Sequence, residues 1–123
     1  MNAIEELCTP DVEFDWSRRL LDPTVIRGYE GIRRFFDEVD GIFDEIVFEE
    51  EEILDFGDEV LVVNTGRFRG RTSGVDVTAR GAIVWTIREA KLVRFRFYQT
   101  KGDALEDLPP EGAQVSATRE EAL

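Results

Sequence analysis

Apolar and acidic residues alternate along "DVEFDWS", residues 11–17, where Val12, Phe14 and Trp16 interleave with Asp11, Glu13 and Asp15. A period of two belongs to a strand with one buried face, so this stretch predicts a first strand. Over about residues 29–42 the period lengthens. Ile32, Phe35, Phe36, Val39, Ile42 and the adjoining Phe43 recur at steps of three and four, while Arg33, Arg34, Asp37, Glu38 and Asp40 take the opposite side. That is the pattern of an amphipathic helix lying on something apolar. Between the two, "LLDPTVIRGYEG" carries Pro23, Gly28 and Gly31 and reads as an irregular connection.

From residue 46 to 100 the period returns to two. "IVFEEEEILDF", "EVLVVNTGRFRG", "VDVTARGAIVWTI" and "KLVRFRFYQT" are divided by turn signals at "GDE", "RTSG" and "REAK". Connections this short hold no crossover helix, so four long antiparallel strands are predicted. "GDALEDL", residues 102–108, reads as a short helical turn. After Pro109 and Pro110, "EGAQVSATREEAL" is small and polar, a loosely held tail whose final residues add a helical turn if they dock. The organisation is one domain over residues 1–108 and a tail over 109–123. One strand, one helix and a long meander make an α+β layout in which the sheet curls around the helix to bury its apolar face.

Composition narrows the function classes. The 123 residues suit a single core. No apolar run approaches the ~18 residues that cross a bilayer, and "MNAIEELCTPDVEF" has no basic flank before a long apolar segment, so the default expectation is a cytoplasmic protein. A formal charge of −12, with no basic stripe against it, disfavours nucleic acid and anionic lipid as partners. With no histidine and Cys8 as the single cysteine, neither a zinc cluster nor a thiolate–imidazole nucleophile is available, and no cofactor or metal is expected. Acid–base work would fall to a carboxylate, a tyrosine or a lysine.

The succession "DVEFDWS", "IRGYEGIRRFFDEV", "FGDEVLVV", "VWTIREAKLVRFRFY" and "DALEDL" resembles the SnoaL-like branch of the nuclear transport factor 2-like, or ketosteroid-isomerase-like, superfamily, over roughly residues 7–108. The resemblance implies a cone-shaped, strongly bent antiparallel sheet around one main helix, an apolar ligand site inside the cone, and a homodimer through the outer sheet face. Only "MNAIEELC" precedes the first strand, two helical turns at most, so the long N-terminal helix that covers the cone in the family is shortened or begins upstream. Two family positions depart. By alignment to "GAIVWTI", Ile83 or a neighbour stands where many relatives carry a histidine, and Thr100 stands in "FYQT" where many carry an aspartate.

Candidate site residues follow from strand alternation and from the resemblance. Asp15 is either a desolvated carboxylate poised to move a proton inside the cone or the solvated side of the first strand. Tyr98 is either a donor to a developing oxyanion, a role Arg80 could fill instead, or a half-buried structural tyrosine. Trp16, Phe36, Asn64, Arg67, Ile83, Trp85 and Thr100 are the candidate ligand contacts, set against a reading of the aromatics as plain core. "FEEEEI", residues 48–53, lacks calcium-loop spacing and reads as a charged strand meeting arginines or blocking edge pairing. In "LVRFRFYQT", Val93, Phe95, Phe97 and Gln99 share one face, and Arg94, Arg96, Tyr98 and Thr100 share the other. If the apolar face packs under the helix, the arginines lie on the outer sheet and pair with acidic residues or a second subunit; if not, they cradle an anionic ligand.

Three functions remain open. The first is binding of an apolar or polycyclic small molecule in the cone without catalysis. The second is a cofactor-free isomerase, cyclase or hydrolase with Asp15 as proton acceptor, which requires Asp15 to face inward. The third is a dimeric interaction module.

Overall fold

Hairpins with short turns dominate the chain. The computed structural model describes residues 3–19 and 23–108, together with the backbone of 114–118. The elements run α1 (Ala3–Leu7), β1 (Cys8–Asp15), β2 (Val25–Arg27), α2 (Gly28–Ile42), β3 (Phe43–Asp55), β4 (Glu59–Gly70), β5 (Asp76–Arg88), β6 (Lys91–Tyr98), α3 (Lys101–Glu106) and β7 (Gln114–Thr118). Strands β3 to β6 pair antiparallel in sequence order, as the turn signals predict. The tightest turn joins β5 to β6 through Glu89 and Ala90, at φ 52° and 66°. Left-handed pairs match the twist of the flanking strands. Here neither residue is glycine, which costs about 1 kcal/mol each.

All strands belong to one curved, unclosed sheet of order β2-β1-β6-β5-β4-β3-β7. Its architecture is the predicted α+β class, with three local differences. First, Val25–Arg27, inside the connection expected to be irregular, forms an edge strand antiparallel to β1. Second, β1 joins β6 in parallel, Phe14 beside Phe95 and Asp15 beside Arg96, so the sheet is not wholly antiparallel. The whole meander separates these two strands, and a connection that long does not impose the direction a hairpin does. Third, residues Gln114–Thr118 of the tail pair antiparallel with β3 and cap what would otherwise be an open edge. The final turn expected of the tail falls on residues outside those described.

The sheet separates two cores. Beneath α2 lie Cys8, Val12, Phe14, Ile32, Ile83 and Phe95, with Trp16, Phe35, Trp85 and Phe97 packed against them. On the opposite face Leu54, Leu61, Ala82, Val84 and Tyr98 meet Ala104 of α3 and Leu108. Burial of a large apolar side chain contributes about 1.5–3 kcal/mol, so α3 is held by real apolar contact and not only by its turn. Thr100 starts α3 by accepting a hydrogen bond from the Asp103 amide at 3.1 Å. The arginine face of β6 is therefore the outer one, turned away from α2.

A bulge in β3 decides which glutamates face where. Register advances from Glu50 opposite Asn64 to Glu52 opposite Val63, leaving Glu51 as the extra residue. Before the bulge, Phe48 and Glu50 stand with Gly66 and Asn64 on the α2 side. Beyond it, Ile53 takes that side opposite Val62, and Glu52 turns outward to Lys101 at 2.6 Å.

Candidate functional site: the aromatic face beneath helix α2

Alternation on β1, β5 and β6 sends a layer of rings to the α2 side. Phe14 stacks on Phe95 at 4.8 Å between centroids, and Trp85 meets Phe95 edge-on at 5.0 Å. Trp16 lies against Phe35, Phe95 and Phe97 at 5.5, 4.9 and 5.5 Å. Phe36 touches this layer through Phe14 and Phe35, yet 48% of it is exposed. Of the six apolar positions that define the helix pattern, only Ile32 is fully buried. Along the same side of the sheet, Phe68 contacts Phe43 and Phe48, and Phe48 is 55% exposed. Two ring clusters thus lie on this side of the sheet, and each reaches exposed surface, at Phe36 and at Phe48.

At the centre of this face two glycines leave room that neighbouring rings fill. A Cβ on Gly81 would stand 2.8 Å from the Phe97 ring, and one on Gly66 would stand 2.8 Å from the Phe68 ring and 3.0 Å from that of Phe48. Between the two glycines in register sits Asn64, opposite Gly81 on β5 and Glu50 on β3. Asn64 is 8% exposed, and its amide atoms are not among the side-chain atoms sealed from solvent without a partner. An open groove of about 270 Å³ lies between β2 and α2, lined by Val25, Ile26, Arg27 and Phe35 among others. Neither Asn64 nor the tryptophans reach it.

The titratable candidates lie on the other side of the sheet. Asp15, paired in register with Arg96, accepts a hydrogen bond from the Ser17 amide at 2.9 Å and is 3.8 Å from the Arg18 guanidinium. Burial pushes its carboxyl up, but the Ser17 hydrogen bonds together with Arg18 and Arg94 outweigh it and lower the pKa. An ionised group held this way is a poor proton acceptor near neutral pH. Tyr98, fully buried, donates its hydroxyl to Asp107 at 2.8 Å, and Arg18 donates to the same carboxylate oxygen at 2.8 Å while lying 4.7 Å over the Tyr98 ring. Burial first, and then the Asp107 hydrogen bond, push the phenol up to about 12. The network ties α3 to the end of β1. It presents no reactive group to the aromatic layer.

The remaining charges form an outer ladder. Glu13 bonds Arg27 at 3.1 Å and Arg94 at 3.3 Å, and buried Arg96 pairs with Glu59. Arg80 meets Glu51 at 2.7 Å with its side chain 70% exposed, and Arg67 is exposed on the same side. Of the predicted site residues, Trp16, Phe36, Asn64, Ile83 and Trp85 therefore share the α2 face. Asp15, Tyr98, Arg80, Arg67 and Thr100 do not join them. Cys8 is buried, and burial pushes its thiol up despite Lys91 nearby. Among the described residues no group of three or more acidic, histidine or cysteine side chains is placed to hold a metal, and no helix is long and apolar enough to cross a membrane.

A family model of the SnoaL-like domain matches residues 1–95. The chain belongs to the SnoaL-like domain family. Solved structures agree on the fold. This SnoaL-like chain superposes on a protein described as a SnoaL-like polyketide cyclase from Jannaschia sp. CCS1 with a TM-score of 0.66, at 16% identity, over 85% of this chain and 74% of that one. An NTF2-like protein of unknown function from Burkholderia pseudomallei K96243 gives a TM-score of 0.64 at 17% identity, covering 82% and 79%. TerC, co-crystallized with polyporic acid, gives 0.61 at 22% identity, covering 82% and 78%. No curated protein matches. At these identities the likeness establishes the NTF2-like fold.

The residues missed by reading the sequence are Glu50, Phe48, Phe68 and the two glycines. Alternation alone puts residues 48, 50 and 52 on one face, and only the bulge separates Glu50 from Glu52. Arg18 and Asp107 are 89 positions apart and carry no local signal of their contact.

Proposed function

We propose that this SnoaL-like protein binds a flat, apolar small molecule between α2 and the sheet, as a cytoplasmic homodimer without catalysis of its own. The supporting observation is the distribution of side chains. The α2 face carries a ring layer that runs from buried Phe95 out to half-exposed Phe36, and a second cluster around half-exposed Phe48, whereas Asp15, Tyr98 and Arg80 are engaged on the other face. Exposed contiguous apolar surface of this kind marks a binding site more often than a bare exterior. The co-crystallization of a structural neighbour with polyporic acid is consistent with a cyclic ligand in this fold. An enzyme built on Asp15 loses its support, because that carboxylate is neither on the ring face nor raised in pKa. The homodimer follows from the family resemblance; here α3 already occupies part of the outer face, leaving the Val47 and Arg67 end for a second copy.

Trp16 and Trp85 sit in the proposed floor and report occupancy directly. Titration with naphthalene, phenanthrene and polyporic acid should quench tryptophan emission saturably. Phe36→Asp, which puts a charge on the exposed rim, should weaken that quenching by roughly tenfold. Absence of saturable quenching by every compound refutes the reading.

A further inference from the structure

We propose that the free edge of β3 takes up an extended segment of another protein as an added strand, one in which two basic residues precede apolar ones. The first observation is an unpaired row of backbone. Strand β3 pairs with β4 along one side from Phe43 to Asp55, but β7 covers its other side only from Glu52 to Asp55. Over Asp44–Glu51 no backbone group turned away from β4 has a partner among the described residues. Such a row is a template for strand addition, and the stretch holds neither proline nor lysine to close it. The second observation is exposure on both faces. Every residue from Asp44 to Glu50 is exposed, including Ile46, Val47 and Phe48 at 37, 40 and 55%.

Charge selects the occupant. Glu49 and Glu50 alternate to opposite faces and enter no ion pair among the described residues, whereas Glu51 and Glu52 are held by Arg80 and Lys101. A second copy is disfavoured as the added strand, because antiparallel pairing about Val47 sets Glu49 against Glu45 and Glu50 against Asp44. A copy resting on the outer sheet face meets side chains and leaves the backbone row open. The chain's own end is disfavoured as well. Counted on from Thr118 opposite Glu52, Glu120 would fall opposite Glu50 and Glu121 opposite Glu49. A segment running in the direction of β7 fits when its basic pair meets Glu50 and Glu49 and its next three residues, apolar, meet Phe48, Val47 and Ile46. The formal charge of −12 draws such a segment in from a distance.

The test is fluorescence anisotropy of a labelled peptide in which two lysines precede Val-Thr-Val. One control carries glutamates for the lysines, and a second carries Pro-Pro for Val-Thr. Neighbouring prolines remove an N–H from each side of the strand, so one of the two losses faces β3 in any register while the charge is kept. The lysine peptide should bind the full chain about tenfold more tightly than either control, and less tightly as salt rises. Glu49→Lys combined with Glu50→Lys, both exposed and checked for folding by circular dichroism, should reverse the preference to the acidic peptide. Equal binding of the proline peptide reduces the effect to charge attraction and overturns strand addition. A preference that survives the double replacement does the same. Absence of binding by the full chain also overturns it, and binding that then appears on removal of residues 119–123 assigns the edge to the chain's own end.

Discussion

Tyr98→Phe deletes one oxygen and leaves a fully buried ring in place, which makes it a clean probe of how α3 is held. The lost interaction is the hydroxyl donated to the Asp107 carboxylate at 2.8 Å. Hydrogen bonds to charged partners contribute about 1.5–3 kcal/mol. The lower end applies, because Asp107 keeps Arg18 at 2.8 Å and is 37% exposed, so its carboxylate is not stranded. A loss of about 1.5 kcal/mol lowers the melting temperature by about 6 °C in a domain of this size. The pH dependence supplies a second, independent signature. The Tyr98 pKa rises from an ordinary value near 10 to about 12, so between these values the folded state binds more protons than the unfolded state, and wild-type stability falls as pH rises. The slope approaches about 1.4 kcal/mol per pH unit, and the phenylalanine variant lacks it. Urea melts at pH 7 should therefore differ, and the two stability curves should converge near pH 11. Equal stability at pH 7, or curves that stay parallel to pH 11, would refute this account of α3 docking.

Two other substitutions probe the outer face. Asp15→Asn should leave naphthalene binding unchanged and cost about 1 kcal/mol at pH 7; because the folded carboxyl titrates below its ordinary 3.8, its contribution is present above that value and is lost as pH falls further, so the asparagine variant should show a shallower acid melt. Glu59→Gln leaves Arg96, which is 7% exposed, without its ionised partner and should destabilise by about 3 kcal/mol in chemical denaturation, whereas Glu13→Gln, whose arginines Arg27 and Arg94 have side chains 68% and 43% exposed, should cost about 1 kcal/mol.

The repeating patterns of the chain were legible because they are local. Steps of three and four along residues 29–42 and steps of two along the later strands reflect the geometry of single elements, and the turn signals between strands leave few ways to connect them. Alternation also sorted β6 into an apolar face and an arginine face, but left open which of the two is turned outward. The division between the faces was less accessible for Asp15, since an alternating strand has two sides and nothing local says which of them meets the helix.

By itself, then, the sequence determined the α+β class, the main helix, the four-strand meander and the family, all of which depend on periodicity and chain order. Tertiary structure alone decided the parallel join of β1 to β6, the strand that the tail adds to β3, and the Arg18–Asp107–Tyr98 network, because contacts between distant segments leave no trace in local spacing. It also decided the fate of "FEEEEI". One extra residue in a strand reverses every side chain that follows it, and the Glu51 bulge, set by pairing with β4, turns Glu50 towards Asn64 and Glu52 away.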